Sequence, residues 1–318
     1  MRLAVIAGDE RDLVDVTDAL DAASPGASGL AGAIRHARLV GTSLADFLTG
    51  LTARPSARVP FDSVAGPLAI DGASPAPPVT APEVWGAGVT YRRSREAREA
   101  ESAYSSDAYR QIYDAQRPEL FLKDSGGRRT VASGMSIAVR GESVWSIPEP
   151  ELALILDADG RIVALTLAND VTARDLEALN PLYLPQAKIY DGACALGPVA
   201  LIRSGDRDVP AIDILLRIRG ADGAAVYEGA TSTVALRRSF EELVWYLRRD
   251  NSIDDGTVLL TGTGIVPPDD FSLEPGQVVE ISSPPIGTLT NTVVRHPVTA
   301  PFNGQAPARV STSWEAQA

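Results

Sequence analysis

Glu149 and Glu151 stand two residues apart in the stretch PEPELALIL, at the head of the apolar run Leu152-Ala153-Leu154-Ile155-Leu156. Side chains at i and i+2 of a strand share a face, so a strand here sets two carboxylates side by side. Like charges at that spacing repel unless water or a cation compensates them. A third acid then arrives by register. Asp159-Gly160 is a two-residue hairpin signal, because a type I′ turn needs positive φ at both central positions. With Ala158 and Arg161 flanking the turn, Asp170 lies across from Glu149 and Ala168 across from Glu151. Three carboxylates with no imidazole or thiolate nearby form a hard, oxygen-only site, which favours Mg2+ and also suits Mn2+ or Ca2+. Spacing alone leaves a second possibility open, a polar strand face with a helix-capping aspartate. Pro148 and Pro150 belong at strand starts, edges or bulges, which predicts an open rim at this end of the hairpin.

Lys188, in QAKIYDGACALGP, sits in a mixed apolar segment between two turns. It reads as a solvated charge or, beside a divalent cation that disfavours the ammonium form, as a proton carrier. Only two histidines occur, His36 and His296, and neither stands in a recognisable catalytic or zinc motif. The single cysteine, Cys194, excludes an internal disulfide and a thiolate metal cluster, and it suits a reducing compartment. A formal net charge of −12 argues against nucleic acid or an anionic membrane as partner. The N-terminal apolar run is too short for a signal peptide, and no apolar segment reaches the roughly 18–20 residues that span a bilayer. The expectation is a cytoplasmic protein.

These residues need a scaffold. RLAVIAG reads as a short strand, and RDLVDVTDAL and SLADFLTGL have helical spacing, which together predict a small N-terminal α/β domain. The proline-rich GASPAPPVTAP reads as a stiff linker, giving an N-terminal domain over 1–78, a catalytic domain over 79–305 and a loosely held tail over 306–318. Most of the catalytic region consists of short runs of Val, Ile, Leu and Thr between Gly, Pro and Asp-Gly turns, so the fold class is α+β, mainly β. A helix interrupts it at SFEELVWYLRRD, with Ser239 as N-cap. A shorter helix is predicted in VTARDLEALN, with Thr172 and Asp175 near capping-box spacing. ELFLK, as a strand, puts Glu119, Phe121 and Lys123 on one face.

The segments GAGVTYRRSREARE, ELFLKD, EPELALIL, NDVTARD, QAKIYDGACALGP, LLTGTG and IGTLTNTV, in this order over roughly residues 84–295, resemble the fumarylacetoacetate hydrolase family. The resemblance implies a mixed β-sandwich roll, an acidic triad at Glu149, Glu151 and Asp170 that holds Mg2+ or a similar ion, and an active-site lysine at Lys188. It also implies a small 2-keto acid substrate and self-association as a homodimer or homotetramer. One departure matters. Hydrolytic members look like G-x-N-Y-x-x-H-x-x-E, whereas Ser94 and Ala97 occupy the histidine and glutamate positions here. The base that activates hydrolytic water is missing.

GVTYRRSREARE and NPLYLPQAKIYDG instead look like the branch that dehydrates 2-keto-3-deoxy-D-pentonate, the compound shared by the arabinonate and xylonate pathways, to 2,5-dioxopentanoate. Such a lyase needs a base for the methylene beside the ketone and an acid for the leaving hydroxyl. Lys188 is the candidate base, and Glu119 the candidate acid. Arg93 and Ser94, with Arg92 beside them, suit a substrate carboxylate or hydroxyl. Lys123, on the Glu119 face, and Thr263, in a Gly-flanked turn, are further candidates for substrate contact. Two alternatives remain: a C–C hydrolase or decarboxylase of the acylpyruvate and fumarylacetoacetate type, and a non-catalytic metal-binding scaffold.

Overall fold

Alternation decides where each side chain of the hairpin goes, and the run Leu152–Leu156 is apolar at every position because both of its faces are covered. The computed structural model describes residues 3–6, 12–53, 58–60, 76–94, 96, 113–205 and 208–298. From the N-terminus come strands β1 (Ala4–Ile6) and β2 (Asp12–Asp15), helices α1 (Thr17–Ala23), α2 (Gly29–Val40) and α3 (Leu44–Thr52), and strand β3 (Arg58–Pro60). Strands β4 (Glu83–Gly88), β5 (Glu119–Ser125), β6 (Thr130–Ala132), β7 (Ser136–Val139) and β8 (Ser146–Ile147) follow. Next are the long pair β9 (Pro150–Leu156) and β10 (Ile162–Asp170), then β11 (Thr172–Ala173), α4 (Arg174–Leu179) and α5 (Leu184–Lys188). Last come β12 (Cys194–Ile202), β13 (Asp213–Arg219), β14 (Ala225–Ser232), α6 (Phe240–Arg248), β15 (Thr257–Leu260), β16 (Val278–Ser283) and β17 (Gly287–Arg295).

The main sheet has seven strands in the order β5-β4-β15-β9-β10-β12-β6, and a second sheet has five in the order β14-β13-β16-β17-β7. Leu152, Leu154, Leu156, Leu165 and Leu167 point from the main sheet into a core shared with Ile214, Leu216, Ile218 and Ile281 of the second. Ala153, Ile155, Ala164 and Ala168 point the other way, against Leu20, Leu30, Ile34, Leu48 and Leu51 of the N-terminal helices. Each fully buried leucine or isoleucine side chain here contributes about 1.5–3 kcal/mol of transfer free energy. The Arg38 guanidinium adds a polar clasp between these layers, with Nε and Nη2 each donating to Asp255 at 2.8 Å.

The N-terminal helix expected over RDLVDVTDAL is instead strand β2 followed by α1, because Asp12–Asp15 pair with both β1 and β3. The expected helix over SLADFLTGL is α3, whose cap Ser43 accepts from Asp46 N–H at 3.0 Å. Ser239 caps α6 in the same way, through Glu242 N–H at 3.1 Å. The Thr172–Asp175 capping box does not form: Thr172 lies in β11, and the Asp175 carboxylate takes Ser143 Oγ at 2.7 Å and Val144 N–H at 2.8 Å. Residues 72–75 of the proline-rich stretch and the tail over 306–318 lie outside the described residues, whereas Val79 and Ala81 of that stretch are buried in the core beside the N-terminal helices.

Candidate active site

The hairpin that carries the acids closes differently from its expected turn, yet delivers the same register. Asp157 N–H donates to Arg161 O at 3.0 Å and Gly160 N–H to Asp157 O at 2.9 Å, so three residues, not two, form the loop. Gly160 takes φ 80°, the left-handed conformation that closes such loops. A bulge between Ile162 and Ala164 then restores the offset, and beyond it Ala168 faces Glu151 and Asn169 faces Pro150. Asp170 N–H donates to Glu149 O at 3.0 Å.

Glu149, Glu151 and Asp170 each present a carboxylate oxygen, all within 4.8 Å of one another. They are 4%, 2% and 1% exposed, so this end is a buried floor and not the open rim that the prolines suggested. Pro150 is a strand start, as its missing N–H requires, but β9 is an inner strand of the sheet. Asn169 Oδ1 accepts Glu149 N–H at 3.1 Å, and Gly262 N–H donates to Glu151 Oε2 at 2.5 Å. Only glycine serves at position 262, where φ is 88° and Thr90 Oγ1 fills the space of a Cβ. Burial, and after it the charges of Asp170 and Glu149, push the Glu151 carboxyl well above the usual carboxylate range.

Three cations surround the acids. Lys188, the last residue of α5, donates from Nζ to Glu149 Oε2 at 2.5 Å and to Asp170 Oδ2 at 2.8 Å. Lys123 Nζ donates to Lys188 O at 2.5 Å and to Val171 O at 3.1 Å, and forms an ion pair with Asp170 Oδ1. Its side chain is fully buried behind the triad, where it braces Asp170 and the end of α5 instead of lining the cavity. Arg174, at the start of α4, reaches Glu149 Oε1 with Nη2 at 3.3 Å and lies 3.8 Å from Glu177 Oε2 through Nε.

Above the triad lies a narrow cavity of about 20 Å³ lined by Ser94, Glu119, Phe121, Glu177, Lys188 and Thr263. Glu119 opens β5 opposite Gly88, and its carboxylate lies where a Cβ on Gly88 would be. The Phe121 ring lies 5.3 Å from Lys188 Nζ, a cation–π distance that helps hold the ammonium over the triad. Ser94 Oγ donates to Thr263 O at 2.7 Å, and Thr263 Oγ1 is within 3.2 Å of both Ile265 N and O. Arg93 is exposed and outside the cavity lining, and Arg92 pairs with Glu96 at 2.8 Å. Ala97 lies outside the described residues.

His36 stacks on Phe47 and His296 bonds Asp191 O at 2.7 Å, both away from the cavity. Cys194 faces Asp170 across the β10–β12 ladder, but burial pushes its thiol up to about 12, which leaves no thiolate at neutral pH. Glu177, Arg174 and Phe121 join the site without having been singled out for chemistry by spacing. The i, i+3 placement of Arg174 and Glu177 on one short helix was the available signal for the first two.

The fumarylacetoacetate (FAA) hydrolase C-terminal family matches residues 83–294, which spans the strands and helices that build this cavity. The chain belongs to the fumarylacetoacetate hydrolase family. Within it, the chain is 47% identical over 219 residues to 2-dehydro-3-deoxy-D-arabinonate dehydratase of Saccharolobus solfataricus, covering 68% of this chain and 73% of that one. It is 46% identical over 216 residues to a probable 2-keto-3-deoxyxylonate dehydratase of Haloferax volcanii, with the same coverages of 68% and 73%. A solved 2-keto-3-deoxy-D-arabinonate dehydratase, complexed with magnesium and 2,5-dioxopentanoate, superposes with a TM-score of 0.75 at 36% identity, covering 92% of this chain and 95% of that one. The similarity to that structure extends beyond the family match into the N-terminal region, which accords with an α+β, mainly β fold carrying a small N-terminal α/β part.

Proposed function

We propose that this family member is a Mg2+-dependent dehydratase that converts 2-keto-3-deoxy-D-pentonate to 2,5-dioxopentanoate with loss of one water. The observation that carries this conclusion is the buried all-oxygen triad with Lys188 Nζ in hydrogen-bond contact with two of its members. The three carboxylates offer only hard oxygen donors, crowd negative charge into a buried place, and so fit a small divalent cation. Glu149, Glu151 and Asp170 would hold Mg2+, which when bound supplies polarisation of the 2-oxo group of a keto acid.

The chain's own residues then divide the proton work. Lys188, once in its neutral amine form, takes a proton from C3, the methylene beside the ketone, and Phe121 and the triad oxygens hold that nitrogen in place. Glu119, across the cavity wall, gives a proton to the C4 hydroxyl as it leaves as water. Loss of both groups leaves a C3–C4 double bond. Moving a proton from C5 and returning one to C3 gives a C4–C5 enol, and transfer of the enol proton from its oxygen to C4 gives the C5 aldehyde, so atoms balance with one water lost. Ser94 and Thr263, which also line the cavity, serve substrate hydroxyls or carboxylate. Ser94 Oγ, committed to Thr263 O, supplies no base for attacking water, which favours dehydration over C–C hydrolysis.

A panel of 2-keto-3-deoxy sugar acids and acylpyruvates, assayed with and without Mg2+, tests the proposal. The expected outcome is 2,5-dioxopentanoate from the pentonate and no pyruvate from acetylpyruvate; pyruvate release overturns it. The same proposal includes self-association as a homodimer or homotetramer, supported by Leu182 and Val144, which leave apolar side chains 82% and 73% exposed. Light scattering on the purified protein decides between those states and a monomer. A cytoplasmic location completes the proposal. It is supported by the lone buried cysteine, and no helix among the described residues is long and apolar enough to cross a membrane.

A further inference from the structure

At the closed end of the β9–β10 hairpin a second cleft, of about 610 Å³ and open to solvent, runs between the turn and α6. Arg161, Arg203, Arg248 and Arg249 line it, in a chain whose net charge is −12. The acids lining it are Asp208 and Glu241, and Arg161 is taken by Asp157 and Asp159, so among the described residues Arg203, Arg248 and Arg249 face two carboxylates. Like charges gathered this way are relieved by an anion.

The arginines are held from below. Arg203 Nη1 donates to Ile162 O at 2.7 Å. Arg248 Nη2 donates to Ala158 O at 3.4 Å, and its stem lies across Gly160, where a Cβ would collide with it. Arg249 packs over the Trp245 indole, 5.0 Å from the ring centroid. Arg161 is shared with Asp157 and Asp159. A guanidinium has five N–H donors, so one bond to a backbone carbonyl orients the fork and leaves donors for a ligand. Trp245 is 55% exposed, although its neighbours Val244, Tyr246 and Leu247 on α6 are buried. A cleft therefore combines oriented forks on two separate elements with a half-exposed indole that Arg249 partly covers.

A planar carboxylate is satisfied by one fork, whereas a tetrahedral phosphate presents oxygens to forks arriving from different directions. We propose that this cleft binds a phosphorylated small molecule, its phosphate oxygens taken by Arg203 and Arg248 and its organic part lying against Trp245. The site shares no residue with the triad cavity and does not depend on which keto acid the enzyme dehydrates.

Calorimetric titration of the full chain in EDTA with ADP, pyrophosphate and citrate tests it. The expected result is saturable, salt-sensitive binding of ADP and pyrophosphate, ADP the tighter, with citrate at least tenfold weaker. Arg203→Ala and Arg248→Ala should each weaken ADP at least tenfold, and Arg203→Lys, which keeps the charge and loses the fork, at least threefold. Mg2+-dependent turnover should stay within twofold of wild type in Arg248→Ala and Arg203→Lys, which reports that they are folded. Absence of saturable binding, citrate binding as tight as pyrophosphate, or ADP affinity unchanged in these folded variants would each overturn the proposal.

Discussion

The two ends of the β9–β10 hairpin each gather three acids, and they treat them in opposite ways. At the turn, Asp157 Oδ1 accepts Arg161 N–H at 2.8 Å, Asp159 pairs with the Arg161 guanidinium at 3.0 Å, and Asp255 takes the Arg38 fork together with Ala158 N–H at 2.9 Å. There Arg161 serves both Asp157 and Asp159, and Arg38 serves Asp255. At the other end Glu149, Glu151 and Asp170 are drawn within 4.8 Å of one another and share Lys188, Lys123 and Arg174 among them. Acids near one another are common, but acids buried together at a cost to folding mark a place where charge is kept for chemistry.

The largest expected difference between the ends is in turnover. Glu151→Gln should lower Mg2+-dependent dehydration about 1000-fold, since it removes the negative charge of one of the three carboxylates that hold the cation. Its thermal midpoint should hold or rise, because one of three crowded charges is gone. Asp159→Asn at the turn should change turnover less than twofold; a comparable loss would erase the distinction. Lys188→Ala should abolish exchange of the C3 protons, followed by proton NMR in deuterated water, with a loss of roughly 100-fold or more, while Mg2+ still binds.

Stability sharpens the comparison next. Arg174→Ala strips a buried cation from Glu149 and Glu177 and should cost about 3 kcal/mol in chemical denaturation, the scale of a broken buried pair. Arg38→Ala at the turn end should cost about 1 kcal/mol, since the Arg38 side chain is a quarter exposed and water screens it. That smaller term is pH-dependent. Burial by itself would raise the Asp255 carboxyl, but the Arg38 hydrogen bond and Ala158 N–H outweigh it and hold the group below its ordinary 3.8. The stabilisation is then fully present above pH 3.8 and is lost as pH falls through the lowered value. Arg38→Ala should flatten that acid limb of the stability profile.

Much of this site was legible in the residues because alternation is a strong constraint. The register that brings Asp170 to Glu149 follows from the hairpin signal, although the loop is one residue longer than Asp159-Gly160 suggested and a bulge at Val163 cancels the slip. Burial of the triad was not legible, since Pro148 and Pro150 mark a strand start without saying what covers it. The Glu119, Phe121 and Lys123 face was readable, but depth was not, so Lys123 lies behind Asp170 while Glu119 and Phe121 meet the cavity. In the N-terminal region, Asp12–Asp15 carries helical spacing yet forms a strand, because pairing on both sides outweighs a local preference. Helix α2 had its signal in Leu30, Ala33, Ile34 and Ala37, one apolar stripe now against the main sheet.

The central claim is that these three carboxylates together hold one divalent cation. Calorimetric titration of Mg2+ into chelator-treated protein, wild type beside Asp170→Asn, addresses it most directly. The account predicts one saturable site per chain in the wild type and none in the variant; equal binding by both, or no binding by the wild type, would contradict it.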